Sequence, residues 1–258
     1  MKIKENLIPL ITFIFGTRPE AIKLAPVIKL FKKCKLVRVR VVNTGQHREI
    51  LTDVLKIFDI QVDNNLNVMM ESPSLTDLNC KILKQLEIEF NKNLPSLVLV
   101  QGDTATSYAS SLASFYKKIP VAHVEAGLRT NDLYQPFPEE MNRRLITQIA
   151  SLHFAPTELA KQNLINENIT RNVHYTGNTV IDSVLEISKI SNNFFLKDID
   201  FNKDEIILST IHRRENWGGD LKNICSGLLK LLNEHPKTKL IIPLHPNKIV
   251  REPIKEIL

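Results

Sequence analysis

Short apolar segments alternate with amphipathic segments along the chain, and this alternation limits the folds open to it. Leu7–Phe15 and Leu97–Gln101 are almost entirely apolar, and each is followed by a polar turn and a helix-like segment. Apolar runs of this length are typical of strands buried on both faces of a parallel sheet. Strands alternating with helices at this spacing indicate βαβ units with right-handed crossovers. The sequence therefore predicts an α/β protein with a Rossmann-like parallel sheet.

The same pattern gives bounds for the other elements. Strands are predicted at Val37–Val42, Ile119–Val124, Leu152–Ala155, Val173–Tyr175, Glu205–Thr210 and Leu240–Pro243. Helices are predicted to end near Lys33 and Phe58, to span Leu75–Phe90, Thr157–Asn168, Thr179–Ile190 and Leu221–Glu234, and to begin at Ala105, Pro138 and Lys248. Because Arg38 and Arg40 alternate with valines, the segment Val37–Val42 is predicted to be an edge strand.

The alternation is interrupted once, over Ser191–Lys203, where polar residues predominate. Such a stretch is typical of a boundary between domains. We therefore predict a first domain over residues 1–190 and a second α/β domain over residues 204–258. The last helix carries no C-cap signal before Leu258, so the second domain is expected to be incomplete.

Charge and cysteine content narrow the class of partner and compartment. The formal net charge is +6, but the Lys and Arg residues are spread along the chain instead of forming a basic strip with aromatic residues. This distribution disfavours nucleic acid and suits a small phosphorylated substrate. The three cysteines are far apart in sequence, which argues against disulfides and indicates a reducing compartment. The apolar run near the N-terminus is too short to span a bilayer, so a cytoplasmic protein without a membrane partner is expected.

Polar clusters follow the predicted strands. They contain Arg18 with Glu20 and Lys23, Asp103, Glu125 with Glu139, and His212 with Arg213 and Arg214. Each cluster alone is equally compatible with helix capping or a solvated loop. Together they are expected at the carboxyl edge of one or two sheets, which is where open α/β proteins bind ligands.

Several common motifs are absent from the sequence. The first strand is not followed by G-x-G-x-x-G, and the chain contains neither G-x-x-x-x-G-K-[ST] nor G-x-S-x-G. His212, His235 and His245 lack the close spacing of metal ligands, so neither a metal nor another cofactor is predicted. Carboxylates for proton transfer and cations for phosphate remain as the chemistry of the predicted site.

Several specific motifs lie along the chain: FGTRPEAIKLAPV, TGQHREIL, QGDTATSYASSLASFY, PVAHVEAGLRTNDLYQPFPEEMNR, HFAPTELAKQNL, TGNTVIDSV, HRRENWG and VREPI. In these motifs the chain resembles bacterial non-hydrolysing UDP-N-acetylglucosamine 2-epimerases. The resemblance implies a GT-B architecture, in which two Rossmann-like domains flank the active site. It also implies a UDP-sugar substrate, a homodimer in intact members and a role in surface polysaccharide precursor synthesis.

Roles for individual residues follow from the resemblance. It implies that Asp103, Glu125 and Glu139 are acid/base residues and that His212 and Arg18 stabilise the departing UDP. Lys23, Arg143 and Arg213 would support substrate binding. In some members, the residues that match Gln46 and His47 help to hold a second, activating UDP-N-acetylglucosamine.

The sequence also departs from the family pattern. The serine–glycine–glycine segment and a later arginine, which bind uridine and diphosphate in the family, are not present, and PLHPNKIV differs from the usual pattern around His245. The 258 residues are therefore expected to be inactive by themselves. Two alternatives stay open: a non-catalytic remnant that binds sugar nucleotide, and a hydrolysing epimerase or UDP-sugar glycosyltransferase.

Overall fold

The computed structural model describes residues 8–46, 49–69, 74–190, 199–211, 218–244 and 247–258. The chain divides into two compact units, Met1–Ile190 and Ser191–Leu258. Its strands are β1 (Leu10–Phe15), β2 (Arg38–Asn43), β3 (Asn64–Asn65), β4 (Leu97–Gln101), β5 (Val121–Val124), β6 (Leu152–Ala155), β7 (Val173–Tyr175), β8 (Glu205–Leu208) and β9 (Thr238–Ile241). Its helices are α1 (Arg18–Lys33), α2 (Glu49–Ile57), α3 (Leu75–Lys92), α4 (Ala105–Tyr116), α5 (Glu139–Ile149), α6 (Glu158–Asn166), α7 (Val180–Ser188), α8 (Gly219–Glu234) and α9 (Lys248–Ile257).

The first unit is built on one parallel sheet. Its seven strands lie in the order β3-β2-β1-β4-β5-β6-β7, and every paired strand runs parallel to its neighbour. From β1 the chain first proceeds outward through β2 to β3, and it then returns to place β4 on the other side of β1. The predicted α/β class is confirmed. The change of direction between β1 and β4 defines a topological switch point, which is the usual ligand position in such sheets.

The position of β2 corrects the prediction of an edge strand. β2 lies between β1 and β3, because the two-residue strand β3 pairs with Val42 and Asn43. The alternating arginines have another explanation. Arg40 forms an ion pair with Glu89 of α3, whose side chain is only 3% exposed. An arginine within this strand therefore compensates a buried carboxylate instead of marking a solvent-facing edge.

Two apolar layers cover the faces of the sheet. One layer joins β1 and β2 to α1 and α2, and its largest fully buried side chains are Phe13, Phe15 and Phe58. The other layer packs α3, α4 and α5 against the strands and includes the buried Phe90. Fully burying a side chain of this size stabilises the fold by about 1.5–3 kcal/mol. These layers hold the strand ends, and hence the polar turns that follow them, in fixed positions.

Small residues along α4 let this helix lie close to its neighbours. Buried positions of α4 are occupied by alanine, serine and threonine. The hydroxyl groups of Ser111 and Ser114 donate to the backbone carbonyls of Ser107 and Ser110, 2.8 and 2.7 Å away, so these two buried hydroxyl groups are paired. The start of α4 is thereby fixed beside the carboxyl ends of β4 and β1.

The second unit contains the parallel pair β8 and β9 together with α8 and α9. Its buried apolar residues are Ile211, Leu221, Cys225, Val250 and Ile254. This is an α/β arrangement with a much smaller core than that of the first unit. Within the parts of the chain described above, no helix has the length and apolarity needed to cross a membrane.

Candidate functional site

Polar side chains gather at the carboxyl edge of the seven-stranded sheet, on both sides of the switch point. β1 ends at Phe15 and leads into Gly16, Thr17 and α1, whereas β4 ends at Gln101 and leads into Gly102 and Asp103. These two turns are neighbours because β1 and β4 pair directly. The sequence predicted this edge, and the arrangement of strands brings its turns together.

The turn after β1 requires a residue without a side chain. A Cβ atom at Gly16 would overlap the hydroxyl oxygens of Thr44 and Thr106. These two hydroxyls lie 2.9 Å apart, and Thr106 donates to Gln46 Oε1 at 2.8 Å. The Gln46 side chain therefore lies beside the switch point, held by the first turn of α4. Arg18, the first residue of α1, follows this turn in the chain and is exposed.

Glu125 is held by residues from three other elements. Lys23 Nζ of α1 lies 2.5 Å from Glu125 Oε2, and Gln101 Nε2 donates to the same oxygen. Asn178 Nδ2, after β7, donates to Oε1 at 3.1 Å. Glu125 also adopts a left-handed backbone conformation, with φ of +68°, which is uncommon for a residue with a side chain. Such local strain is characteristic of functional sites.

Asp103 is paired with a cation from α5. Arg143 donates to Asp103 Oδ2 from Nε at 3.1 Å and also from Nη2. The neighbouring Asn142 Nδ2 donates to the Asp103 backbone carbonyl at 2.9 Å. The family resemblance predicts that Arg143 supports substrate binding. In the structure its guanidinium group is occupied by carboxylates of the protein, since Glu140 lies 3.2 Å away as well.

A buried histidine supports the turn that presents Asp103. His123 of β5 is fully buried, and its Nε2 donates to the Gly102 carbonyl at 2.7 Å. Burial is the main reason that the pKa of His123 falls to about 3, with the cations Arg129 and Arg143 adding to the effect. His123 is therefore neutral at physiological pH. Gly102 has φ of +72°, a conformation that glycine adopts readily.

The clusters around Glu125 and Asp103 are adjacent. A Cβ atom built on Gly102 would lie 4.0 Å from Glu125 Oε2, so this carboxylate lies beside the residue that precedes Asp103. Glu125 and Asp103 follow the paired strands β5 and β4. Two carboxylates, each with its own cation, thus face the same edge of the sheet.

Glu139 and Glu140, which are adjacent in sequence, have different environments. Glu140 is fully buried, and its carboxylate accepts from Thr130 N at 3.1 Å and pairs with Arg143 and Arg144. Glu139 begins α5 and is half-buried, and no hydrogen bond or ion pair of its side chain is found among the described residues. The prediction that Glu139 shares a cleft with Asp103 and Glu125 stays a prediction.

Three of the predicted site residues, His47, His212 and Arg213, lie outside the described residues. The structure adds residues that sequence reasoning did not place in the site: Gln101 and Asn178, which bind Glu125, and Glu140, which binds Arg143. Gln101 ends a strand and Asn178 follows one, so their positions after predicted strands were the available signal. Among the described residues, no group of His, Cys, Asp and Glu is arranged to hold a metal ion.

The arrangement is suited to proton transfer close to a bound anion. Glu125 and Asp103 can each accept or donate a proton, and their positions are fixed by several hydrogen bonds. Arg18 provides an exposed cation at the same edge, and the N-terminus of α1 contributes the positive end of its dipole. A phosphorylated ligand is therefore the class that the edge fits best.

Comparison with known proteins identifies relatives along almost the whole chain. The family model described as UDP-N-acetylglucosamine 2-epimerase matches residues 29–258. The UDP-N-acetylglucosamine 2-epimerase of Neisseria meningitidis is 46% identical over 253 residues, which cover 95% of this chain and 68% of the relative. That of Escherichia coli K12 is 44% identical over 257 residues, with the same coverage of both chains. The chain spans about two thirds of the length of the curated relatives it matches, with values from 63% to 68%.

Solved structures agree with this result. The crystal structure of UDP-GlcNAc 2-epimerase from Neisseria meningitidis bound to UDP-GlcNAc superposes with a TM-score of 0.89 at 44% identity. The match covers 96% of this chain and 69% of that one. The predicted GT-B-like α/β class is thereby confirmed, and the chain belongs to the UDP-N-acetylglucosamine 2-epimerase family.

Proposed function

We propose that the protein interconverts UDP-N-acetylglucosamine and UDP-N-acetylmannosamine by a non-hydrolysing mechanism. The observation that carries this proposal is that Glu125 and Asp103, each paired with a cation, follow the adjacent strands β5 and β4 at the sheet edge where the exposed Arg18 begins α1. Family membership supports the same reaction, and solved relatives with bound UDP-GlcNAc support a UDP-sugar ligand.

The proposed reaction is an elimination followed by an addition. The hydrogen on carbon 2 of the sugar has no adjacent carbonyl group, so it is not acidic enough for direct removal. Departure of UDP from carbon 1 builds positive charge next to carbon 2, and a base then removes that proton to leave a glycal. Protonation of carbon 2 from the opposite face and return of UDP to carbon 1 complete the inversion. Every proton and both electron pairs are accounted for without an external oxidant or reductant.

Opposite faces of the sugar require acid/base groups on both sides. We assign these roles to Asp103, Glu125 and Glu139, and stabilisation of the departing UDP to Arg18 and His212. Lys23 and Arg143 then act mainly on the carboxylates, because their cationic groups are bound to Glu125 and Asp103. Arg213 would bind substrate, and Gln46 with His47 would hold an activating second sugar nucleotide.

Conservative substitutions test the acid/base assignment. In the longest polypeptide that the gene encodes, Glu125→Gln or Asp103→Asn should lower turnover by about 10²–10⁴-fold, the usual contribution of general acid–base catalysis. Binding of UDP-N-acetylglucosamine, measured by calorimetry, should remain close to that of the unsubstituted protein. Glu158→Gln, at an exposed position of α6, is the matched control and should leave both quantities unchanged.

Isotope exchange tests the mechanism separately from the residue assignments. In deuterated solvent, each turnover should place deuterium on carbon 2 of the product, because the abstracted proton exchanges or is replaced from the opposite face. Product that retains the original hydrogen at carbon 2 would exclude elimination and re-addition for this protein.

Several finer proposals accompany this function. We propose that the product serves surface polysaccharide synthesis, that the protein works in the reducing cytoplasm and that it forms a homodimer. We further propose that the 258 residues, purified by themselves, bind UDP poorly and do not turn over substrate. An epimerase assay on this polypeptide, with analytical ultracentrifugation on the same sample, measures the activity and the oligomeric state directly.

A further inference from the structure

Glu20 is a buried carboxyl group that the proposed reaction does not use. It is 1% exposed and lies in the first turn of α1. Its Oε2 accepts from the backbone N–H groups of Gly16 and Thr17, at 3.0 and 2.7 Å. Its Oε1 lies 2.7 Å from Thr104 Oγ1 and 2.9 Å from Ser107 Oγ. One side chain therefore contacts both the turn after β1 and the turn after β4.

This carboxyl group has no cationic partner among the described residues. The nearby cations are engaged elsewhere or exposed: Lys23 pairs with Glu125, Arg143 pairs with Asp103 and Glu140, and Arg18 is exposed at the start of α1. Burial, the largest effect, raises the pKa of Glu20, whereas its hydrogen bonds with Thr104, Thr17, Gly16 and Ser107 oppose the rise. The helix N-terminus also favours an anion, so the local contacts must decide the charge.

Counting the hydroxyl protons around Glu20 decides between its protonated and ionised forms. Ser107 Oγ has one proton for two acceptors, the Gln101 carbonyl at 2.5 Å and Glu20 Oε1 at 2.9 Å, and we assign it to the shorter contact because the carbonyl cannot donate. Thr104 Oγ1 accepts from Ser107 N at 3.0 Å and can donate to Glu20 Oε1. The 2.9 Å contact between Glu20 Oε1 and Ser107 Oγ then has no proton unless Glu20 supplies it. A protonated Glu20 gives each of these contacts one hydrogen, and the longer 3.2 Å contact between Thr104 Oγ1 and Ser107 Oγ is the one left without a hydrogen.

We propose that Glu20 is a positioning residue that holds the turn after β1 against the turn after β4 as an uncharged carboxylic acid. The turn after β1 leads to Arg18 and Lys23, and the turn after β4 carries Asp103. Glu20 thereby fixes the separation between the cations of α1 and the Asp103 carboxylate. Because an uncharged Glu20 does not offset the positive potential of those cations, that potential acts on the ligand and on Glu125.

Glutamine is the substitution that separates this proposal from a simple helix-capping role. Its carbonyl oxygen can accept from Gly16 and Thr17, and the two N–H bonds of its amide can donate to Ser107 Oγ and to Thr104 Oγ1, whose hydroxyl then turns from donor to acceptor. A carboxylate has no such donor. The matched control is Glu89, which is 3% exposed but binds Arg40, so that glutamine cannot replace its charge.

The first experiment measures urea unfolding of the 258-residue chain at neutral pH without any ligand. Glu20→Gln should keep or raise the unfolding midpoint of the parent chain, because glutamine keeps the donor and does not have to take up a proton on folding, whereas Glu20→Ala and Glu89→Gln should both lower it. A midpoint for Glu20→Gln as low as that of Glu20→Ala would overturn the proposal, because an ionised Glu20 would then be required.

The second experiment observes the proton directly and does not depend on a variant being stable. Carbon-13 spectra of the glutamate-labelled chain should show one side-chain carboxyl resonance at the position of a protonated acid at neutral pH. That resonance should be assigned to Glu20 by selective, sequence-based correlation experiments, and Glu89 should resonate at the position of a carboxylate. A Glu20 resonance at the carboxylate position would refute the neutral form.

The effect on catalysis rests on the proposed function and is measured separately. In the longest polypeptide that the gene encodes, Glu20→Ala should lower kcat by up to about 10²-fold with a smaller change in KM, as expected when reacting groups are displaced. Glu20→Gln should recover the turnover that Glu20→Ala loses. If the unsubstituted protein has no epimerase activity, the proposed function fails, while the unfolding and carbon-13 results still decide the state of Glu20. If the enzyme is active and Glu20→Ala turns over normally, the positioning role is wrong.

Discussion

Two buried glutamates of the first unit, Glu20 and Glu89, have different partners, and their pKa values are shifted in opposite directions. Glu20 contacts backbone amides and hydroxyl groups where the turns after β1 and β4 meet. Glu89 lies between α3 and β2 and accepts from Arg40, Asn64 and Asn93. Burial would raise the pKa of both groups, but the hydrogen bonds and charge of Arg40, aided by Asn64, bring the pKa of Glu89 below its ordinary value. The two differ in their partners: Glu89 has the cation Arg40, whereas Glu20 has no cationic partner among the described residues.

This difference has a functional meaning at the carboxyl edge. Near β2 and α3 an ion pair fastens a helix to the sheet, away from the switch point. At the switch point the cations are used for Asp103 and Glu125, and the connection between turns is made by a group without a cation. A fixed anion beside the expected diphosphate position would repel the ligand, so a neutral connection is favoured there.

The largest expected effect concerns the ion pair of Glu89. Arg40→Met leaves this carboxylate buried without a cation and should lower the free energy of unfolding by about 3 kcal/mol, the lower end for a broken buried pair, because Arg40 is itself partly exposed. Chemical unfolding at neutral pH measures it. The double variant Arg40→Met with Glu89→Leu should recover part of the loss. If Arg40→Met had the same free energy of unfolding as the parent chain, the ion pair with Arg40 would not be what distinguishes Glu89 from Glu20.

A buried histidine provides the next largest effect. The pKa of His123 falls from 6.5 to about 3, with burial as the main cause. Because the folded-state pKa is lowered, the stability that is present above pH 6.5 is lost as the pH falls toward 3. Between pH 6.5 and about pH 5 the loss should approach 2 kcal/mol, taking about 1.4 kcal/mol per pH unit. In His123→Gln, whose amide can still donate to Gly102, this part of the pH dependence should disappear.

The two glutamates should differ in the sign of their pH dependence. Glu89 has a lowered pKa, so its contribution is present above the ordinary value of 4.5 and is lost as pH falls through the folded-state pKa. Glu20 has a raised pKa, so its contribution is full below 4.5 and is lost as pH rises through the folded-state value. The free energy of unfolding is measured against pH for the parent chain, Glu20→Gln and Glu89→Gln. The difference between the parent chain and each variant isolates the contribution of that glutamate. Equal signs would remove the distinction between the two regions.

The smallest effect concerns the threonine that joins Glu20 to α4. Thr104 and Thr157 cap α4 and α6 in the same way, each accepting from a backbone N–H within the first helical turn. Valine at either position should cost about 1 kcal/mol, the usual value of an N-cap. Thr104→Val should cost more than Thr157→Val, because only Thr104 also contacts a buried carboxyl group. Equal losses would show that the contact with Glu20 adds no stability.

Local patterns were enough to predict many individual elements. The apolar run before Gly16, the Thr157 cap and the run before Gly102 gave β1, α6 and β4 nearly at their observed bounds. The same reasoning missed β3, because Asn64 and Asn65 have no strand-like pattern and form a strand only by pairing with β2. For the same reason β2 was wrongly predicted to be an edge strand.

The sequence by itself determined the α/β class and the positions of Asp103 and Glu125 after buried strands, because both depend on hydrophobic periodicity and turn residues within short segments. Only the tertiary structure decided the partners of these groups. Glu125 meets Lys23 across 102 residues, Asp103 meets Arg143 across 40, and Glu20 meets Thr104 across 84. Strand order brings such distant residues together, and their contacts set charge and orientation. A segment read alone contains no information on which cation or hydroxyl group will lie within 3 Å of its carboxylate.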